Sequence, residues 1–156
     1  MRTVGDTDAY RTPSFYVFEL YRKYMTGTRW NLEIEGSKIT LPLNKLSVSG
    51  DINRDLNTGD ITLGLIDGTV VQSTDGNVYI ALINRSPDES QRIKITLPEG
   101  YIHDKIWKLE SDNINNTNTL DNPLISPQIT ELKKRNATLS LTLSPCGFNL
   151  IRCVKP

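Results

Sequence analysis

The sequence predicts an all-β protein, an antiparallel β-sandwich of jelly-roll-like type preceded by one amphipathic α-helix. From Thr28 onward, apolar and polar residues alternate with the period of two that is typical of strands. These alternating segments are short and are separated by Gly, Pro, Asn and Asp, which indicates about nine to eleven strands. No second helical pattern is present, whereas a parallel sheet would need crossover helices.

The single helix is predicted over residues 13–25, within the segment RTPSFYVFELYRKYMTG. Thr12 is a suitable N-cap, Pro13 suits the first helical position, and Gly27 can end the helix. The apolar face is broad for a helix that lies on a small domain, so we expect it to pack against something large. This face carries Phe15, Phe18, Tyr21 and Met25, and it extends through Val17, Leu20 and Tyr24.

The strand segments follow the helix along the chain. GTVVQS and NVYIALIN flank the turn residues 74–76 (TDG), which predicts a β-hairpin across that turn. The segment WNLEIEG, which begins at Trp30, alternates and is predicted to form a strand. Residues 111–128 are rich in Asn and too long for an ordinary turn, so they form a surface loop, either ordered or flexible. The other predicted strands are KLSVSG, DITLGLI, RIKITL, KIWKLES, ATLSLTL and GFNLIRCV.

Charge and hydropathy exclude two classes of partner. The chain has 18 Lys and Arg residues against 18 Asp and Glu residues, so we expect no nucleic-acid partner and no anionic membrane partner. No apolar run approaches the roughly 20 residues that a membrane span needs. The sequence starts without the apolar region of a secretory signal. Localisation, whether cytoplasmic, periplasmic or secreted, therefore depends on what precedes this sequence.

The cysteine and histidine content does not predict a metal or redox site. Cys146 and Cys153 lie seven residues apart on one predicted strand, which places them on opposite faces and out of disulfide reach. We expect two unpaired thiols. His103 is the only histidine, so no zinc-type site is predicted, and we expect His103 on the surface.

Other local patterns have a functional and a structural interpretation. Asp51, Asn53 and Asp55 have the spacing of a calcium loop, but Leu56 stands where such a loop needs Gly, so we interpret this segment as a polar hairpin loop. No Gly-rich phosphate loop and no Ser/His/Asp set is present. No catalytic, cofactor-binding or metal-binding residue is therefore predicted. Three glycosylation sequons are interpreted as chance occurrences, at Asn84, Asn115 and Asn136.

A free-standing carbohydrate-binding sandwich is the alternative function, and it would need exposed aromatic residues on one face. Alternation places Trp107 on the face opposite to Ile106, and Tyr79 on the face opposite to Val78, so both can be exposed. The candidate platform residues are Trp30, Tyr79, Tyr101 and Trp107.

The segment LINRSPDESQRIKITL contains the most specific pattern in the chain. It resembles the C-terminal domain of the α-L-arabinofuranosidases of glycoside hydrolase family 51. In that domain, a strand ending in Val-Asn-Arg-Ser is followed by a Pro-Asp-Glu turn and another strand. The matching residues here are Ile83, Asn84, Arg85, Ser86, Pro87, Asp88 and Glu89.

Two further segments match in the same order. Residues 11–24 are similar to the last barrel helix of the family, and residues 106–123 are similar to its Val-Trp strand with the loop that follows. The chain departs from the family pattern at residues 145–147, where Pro-Pro-His/Tyr-Ser is common. The loop motif Asn-x-x-Asn-Thr-x-x-Asn-Pro corresponds to Asn115, Asn118, Thr119, Asn122 and Pro123.

The resemblance implies a division of the chain and a function. Residues 1–29 would be a remnant and the last helix of a (β/α)8 barrel, and residues 30–156 the sandwich. Both catalytic glutamates would lie in the preceding barrel, so this chain would be inactive alone. The parent would hydrolyse terminal α-L-arabinofuranosyl linkages of arabinan or arabinoxylan without a cofactor.

Partners and turn residues follow from the same resemblance. The implied partner is the catalytic barrel, with self-association through the helix as a further possibility and polysaccharide bound only by the parent enzyme. Asn84 and Asp88 are expected to bond turn backbone while Pro87 presets φ. Arg85 is expected to pair with Asp88 or Glu89.

Overall fold

The computed structural model of the protein describes residues 1–4, 8–42, 60–132 and 136–156. Within those ranges it has one α-helix and twelve strands. The elements are β1 (Arg2–Val4), β2 (Asp8–Tyr10), α1 (Pro13–Tyr24), β3 (Gly27–Trp30), β4 (Lys38–Pro42), β5 (Asp60–Gly64), β6 (Ile66–Ser73), β7 (Val78–Asn84), β8 (Gln91–Thr96), β9 (Ile102–Leu109), β10 (Gln128–Glu131), β11 (Thr138–Leu143) and β12 (Phe148–Val154).

A six-stranded sheet is the centre of the molecule, with the strand order β10-β9-β12-β7-β6-β3. The pairs β1-β2, β11-β8 and β4-β5 form three two-stranded sheets. Every strand pairing among the described residues is antiparallel. The predicted antiparallel sandwich is therefore confirmed, and α1 adds a third layer to it.

The interior lies between the six-stranded sheet and the β11-β8 pair. Because side chains alternate along a strand, every second residue of β6, β7, β9 and β12 points into this space. Residues of β8 and β11 cover it from the opposite side. The buried members of this core are Val70, Val78, Ile80, Leu82, Leu97, Tyr101, Ile106, Leu143, Ile151 and Cys153.

The predicted hairpin is present as β6 and β7, with Val70 opposite Ile80. The connecting turn contains Gly76 at φ +83°, a conformation that glycine adopts without strain. Asp75 Oδ1 accepts a hydrogen bond of 2.9 Å from the backbone N–H of Asn77 and closes the turn. This prediction is confirmed.

The predicted strand after Trp30 is wrong. β3 ends at Trp30, and residues 31–37 form no ladder. The alternation itself is real, since Trp30 and Leu32 pack against the core. Leu32 reaches Gly68 on β6, where a Cβ would lie 3.2 Å from Leu32 Cδ2, so the segment is held by side chains.

Four strands form where the sequence predicts none, and two predicted features lie outside the described residues. β1, β2, β4 and β10 form where no strand was predicted. The KLSVSG segment lies outside the described residues, and so does the calcium-like segment with Asp51, Asn53 and Asp55. In the described part of the chain, no helix is long and apolar enough to cross a membrane.

His103 is buried, with 1% of its surface exposed, so the expectation of a surface residue is wrong. β9 begins before it, and the ladder places His103 opposite Cys153, a member of the interior core. Its Nδ1 lies 2.7 Å from the carbonyl oxygen of Asn136. Burial lowers the pKa of His103, while this hydrogen bond acts in the opposite direction.

Both cysteines are unpaired, as predicted, but they do not share a strand. Cys146 lies in the turn before β12, at φ +50°, and is exposed. Cys153 has no exposed surface. Burial raises the pKa of the Cys153 thiol to about 12, and the charge of Asp104 adds to the effect.

Candidate functional site

Helix α1 lies on the outer face of the six-stranded sheet. Its start is capped by Thr12, whose hydroxyl accepts a hydrogen bond from the N–H of Phe15. Tyr24 stacks on Tyr79 with a centroid distance of 5.0 Å and lies 4.8 Å from Trp107. The helix residues that pack on this face are Tyr16, Val17, Leu20, Tyr24 and Met25.

The face that helix α1 covers includes two of the candidate sugar-platform residues. Tyr79 is 1% exposed and Trp107 is 5% exposed, so neither is open to solvent as the alternative function would need. Strand alternation correctly places Tyr79 and Trp107 on the outer face of the sheet. That face is covered by helix α1 and not by solvent. Tyr101 is also buried, and Trp30 packs edge-on against it at 5.5 Å.

The sheet also carries two hydrogen-bonded pairs of polar side chains, Tyr79 with Asp75 and Arg152 with Asp104. The Tyr79 hydroxyl donates a hydrogen bond of 2.8 Å to Asp75. Burial, and then this hydrogen bond, raise the pKa of the Tyr79 phenol above its usual value. Although partial burial acts the other way, hydrogen bonds from Asn77 and Tyr79 lower the pKa of Asp75. Arg152 Nε donates to Asp104 at 2.8 Å, so these charges are paired within the domain.

The other side of α1 stays open to solvent. Phe18 is 75% exposed and Tyr21 is 36% exposed, although both belong to the predicted apolar face. Tyr21 still touches the sheet through Phe148, at 6.0 Å between ring centroids. We call Phe18 and Tyr21 the outer helix face. The sandwich covers only one half of the broad apolar stripe, and on the other half Tyr21 is partly covered while Phe18 is largely exposed.

Asn118 fastens the loop of residues 111–126 to the start of the helix. It has no exposed surface, and its side-chain amide donates to the carbonyl oxygens of Arg11 (2.8 Å) and Ile125 (2.7 Å). Its side-chain oxygen accepts a hydrogen bond of 2.6 Å from the N–H of Ile125. The loop is therefore ordered, and the Asn-Thr motif has a structural role.

Asn84 fixes the turn after β7 through hydrogen bonds to the backbone, as Asn118 does in the loop. Its amide donates to the carbonyl oxygens of Glu89, Leu143 and Ser144 at 2.8–3.2 Å, and its oxygen accepts the N–H of Ser86. The expected role of Asn84 in the turn is confirmed. Its complete burial also removes it from reach of glycosylation.

Arg85 behaves differently from the expectation. It forms an ion pair with Asp67 on β6, not with Asp88 or Glu89. Its Nη1 also donates to the carbonyl oxygen of Gly64 at 3.2 Å. Arg85 thus joins the turn to β6 and to the end of β5, contacts that local sequence does not encode.

A cavity of about 230 Å³ lies between the first turn of α1, the loop of residues 111–126 and the turn before β12. Its walls are mainly apolar and include Val17, Ile83, Ile114 and Phe148, with Cys146 at the edge. The described residues contain no group of three or more His, Cys, Asp or Glu side chains able to hold a metal ion.

The fold and these surfaces define a β-sandwich domain with a helix that is covered on one side only. A sequence model of the α-L-arabinofuranosidase C-terminal domain matches residues 1–146. The chain belongs to this family, and the predicted resemblance to family 51 enzymes is confirmed.

Individual relatives agree with this assignment. An intracellular exo-α-L-arabinofuranosidase of Bacteroides ovatus is 23% identical over 141 residues, which cover 88% of this chain and 24% of the relative. The structure of an α-L-arabinofuranosidase from Thermotoga maritima superposes with a TM-score of 0.69 at 17% identity, over 93% of this chain and 29% of that one. A family 51 arabinofuranosidase from Xanthomonas axonopodis gives 0.65 at 23% identity, over 92% and 26%. The chain thus spans about a quarter of the length of these relatives.

Proposed function

We propose that this chain is the non-catalytic C-terminal sandwich of an α-L-arabinofuranosidase and that it docks on the catalytic barrel through the outer helix face. The observation that carries the proposal is the 75% exposure of Phe18 on a helix whose opposite side is buried. The parent enzyme would release terminal α-L-arabinofuranosyl residues from arabinan or arabinoxylan, with retention of configuration and without a cofactor.

The size of the relatives supports a missing catalytic part. This chain covers 24% of the Bacteroides ovatus enzyme and 29% of the Thermotoga maritima enzyme. Under the proposal, the boundary expected after residue 29 moves to the end of α1, because β3 (Gly27–Trp30) pairs with β6 in the six-stranded sheet. The segment up to α1 would belong to the barrel, and the sandwich would begin with β3. Helix α1 would then be shared, with one side on the sheet and the other on the barrel.

Energetics favour a covered helix. Fully burying a large apolar side chain stabilises a protein by roughly 1.5–3 kcal/mol, so Phe18 and Tyr21 together offer a gain of several kcal/mol on docking. A contiguous exposed apolar patch on a monomer usually marks a partner surface. The barrel would act as that partner and the sandwich would support it.

Self-association is a second candidate, because the same outer helix face can pair with a second copy of the chain. Light scattering of the isolated chain, compared with a variant that carries Phe18→Glu and Tyr21→Lys, measures this directly. A dimer that becomes monomeric in the variant would support self-association. A monomer in both proteins would exclude self-association.

The proposal is tested with an aryl α-L-arabinofuranoside as substrate. The isolated chain should show no hydrolysis above the buffer rate, whereas the parent enzyme should turn over. Phe18→Glu in the parent should lower the melting temperature and the activity after heating. The matched control is Ser140→Glu, an exposed residue of β11 on the opposite layer, which should leave both unchanged.

Turnover by the purified isolated chain would place a catalytic carboxylate pair within the sandwich and contradict the proposal. Equal effects of Phe18→Glu and Ser140→Glu would show that the outer helix face does not contact the barrel.

A further inference from the structure

We propose that the loop of residues 111–126, here called the Asn-rich loop, is a second docking element that contacts the catalytic barrel beside the outer helix face. This inference rests on the proposed function, because it takes the barrel of the same polypeptide as the occupant. It concerns a separate surface, so the two can be tested independently.

The loop is ordered by its own asparagines before any partner binds. Asn116 donates to Ser111 Oγ and to Asp112 Oδ1, both at 2.9 Å. Asn118 is bonded to Arg11 and Ile125 as described above. A surface that is already fixed loses little conformational entropy on docking, which favours affinity.

The tip of the loop, residues 119–122, is also held by hydrogen bonds within the loop. The N–H of Thr119 donates to the carbonyl oxygen of Asn122 at 3.0 Å, and the N–H of Asn122 donates to the Thr119 hydroxyl at 3.1 Å. This turn sets the direction of the residues on each side of it. A loop that needed only to connect β9 and β10 would not require this number of internal bonds.

The ordered loop presents large aliphatic side chains to solvent. Ile114 is 63% exposed, Leu120 is 45% exposed and Leu124 is 53% exposed. Residues 111–126 contain no Lys or Arg and only two acidic residues, Asp112 and Asp121. Depletion of charge together with exposed apolar side chains is the composition found at the centre of protein interfaces.

The loop is continuous with the helix that the proposed function places on the barrel. Asn118 binds the carbonyl oxygen of Arg11, directly before the N-cap. Ile114 and Val17 line the same cavity of about 230 Å³, so the loop adjoins the first turns of helix α1. The three quarters of each relative that this chain does not match supply an occupant of sufficient size.

Chemistry argues against the other occupants. The loop contains no aromatic side chain on which a sugar ring could stack. It also lacks the cationic residues that attract an anionic membrane surface. An apolar protein surface is the remaining complement.

The test measures thermal unfolding of the intact parent enzyme, in which this chain and the barrel are one polypeptide. Leu120→Ser and Leu124→Ser should each lower the melting temperature of the parent by about 2 °C or more. The matched control Ile61→Ser changes an exposed aliphatic residue of β5, outside the loop, and should leave that melting temperature unchanged. Because these side chains are exposed, the melting temperature of the isolated chain should not change.

A second measurement uses hydrogen exchange in the intact parent. Amides of residues 111–126 should exchange more slowly there than in the isolated chain, and Leu120→Ser should remove the difference. An unchanged melting temperature of the parent and unchanged exchange in the leucine variants, with Phe18→Glu still lowering that melting temperature, would overturn this inference alone. No effect of Phe18→Glu on the melting temperature of the parent, with equal loop exchange in the parent and the isolated chain, would overturn the proposed function as well.

Discussion

Asn84 and Asn149 lie on neighbouring strands, β7 and β12, and neither has any exposed surface, yet their side chains differ completely in hydrogen bonding. Asn84 bonds four backbone groups. Asn149 bonds no residue that the structure describes, through either side-chain atom. The register places Asn149 opposite Leu82, a residue of the interior core, so its amide faces the apolar space between the layers.

Replacing Asn84 with leucine should be severely destabilising. The substitution removes one side chain and leaves the N–H of Ser86 and three carbonyl oxygens without their partner. A buried polar group without a partner costs about 1–3 kcal/mol, so we expect a loss of more than about 3 kcal/mol of unfolding free energy. Urea unfolding followed by circular dichroism measures this. A loss below about 1 kcal/mol would contradict the role assigned to Asn84.

The same substitution at Asn149 should have the opposite effect. Asn149→Leu keeps the same branched shape and number of heavy atoms and removes an amide that the interior does not satisfy, so the unfolding free energy should rise by about 1 kcal/mol or more. The two leucine variants serve as controls for each other in one urea series. A loss for Asn149→Leu as large as that for Asn84→Leu would show that the Asn149 amide is satisfied in solution.

Asn118→Ala should loosen the link between the Asn-rich loop and the helix. It removes the bonds to Arg11 and Ile125, and we expect a cost of about 2–4 kcal/mol. Hydrogen exchange should accelerate at Ile125 and in the first turn of α1. The control is Asn115→Ala, an exposed position of the same loop. Equal exchange in both variants would mean that Asn118 does not fasten the loop.

Acid should destabilise the protein through His103. Its pKa in the folded state is lowered by burial, so the unfolded state binds the proton more readily. The stability that neutral His103 contributes is complete above the unfolded pKa of about 6.5 and is lost as the pH falls through the lower folded pKa.

The His103→Asn variant isolates this effect, because asparagine can still donate to the Asn136 carbonyl oxygen but does not titrate. Between about pH 7.5 and pH 5 the unmodified protein should lose more unfolding free energy than the variant. Parallel losses in the two proteins, from urea unfolding at each pH, would show that His103 is not protonated on unfolding.

Thiol labelling should separate the two cysteines. Cys146 is exposed and should react with an aromatic disulfide reagent within minutes, whereas Cys153 is buried and its pKa of about 12 leaves almost no thiolate. Cys146→Ser should remove the fast phase, and denaturant should restore one reactive thiol. A fast phase that survives in Cys146→Ser would indicate local opening of β12.

Periodicity predicts the sandwich most clearly in β8 and β11, where burial alternates along the strand, whereas β7 and β12 are buried on both faces. It could not distinguish water from a covering helix. Tyr79 and Trp107 were correctly placed on the outer face, yet Tyr24 stacks on both. The apolar stripe of α1 is also wider than the surface that the sheet covers, since the Phe18 side chain is exposed while Leu20 is buried.

The contacts of the candidate site depend on distant pairs that a local pattern does not contain. Arg85 was expected to find a carboxylate within its own turn, but β6 brings Asp67 closer. The motif residue Asn118 was recognised, but its partner Arg11 lies 107 residues earlier. The sequence predicts His103 on the surface at the start of a strand, whereas the pairing with Cys153 places its side chain in the interior.

The position of β12 has a consequence for how the chain is made. It is the last strand, yet it lies between β9 and β7, and Leu150 and Ile151 within it have no exposed surface. Until those residues have been synthesised, β7 and β9 each present an unpaired edge, a recognised cause of aggregation. Premature termination before Phe148 would therefore split the central sheet into two pieces, and nascent chains of this domain should depend on chaperones until β12 is available to pair with β7 and β9.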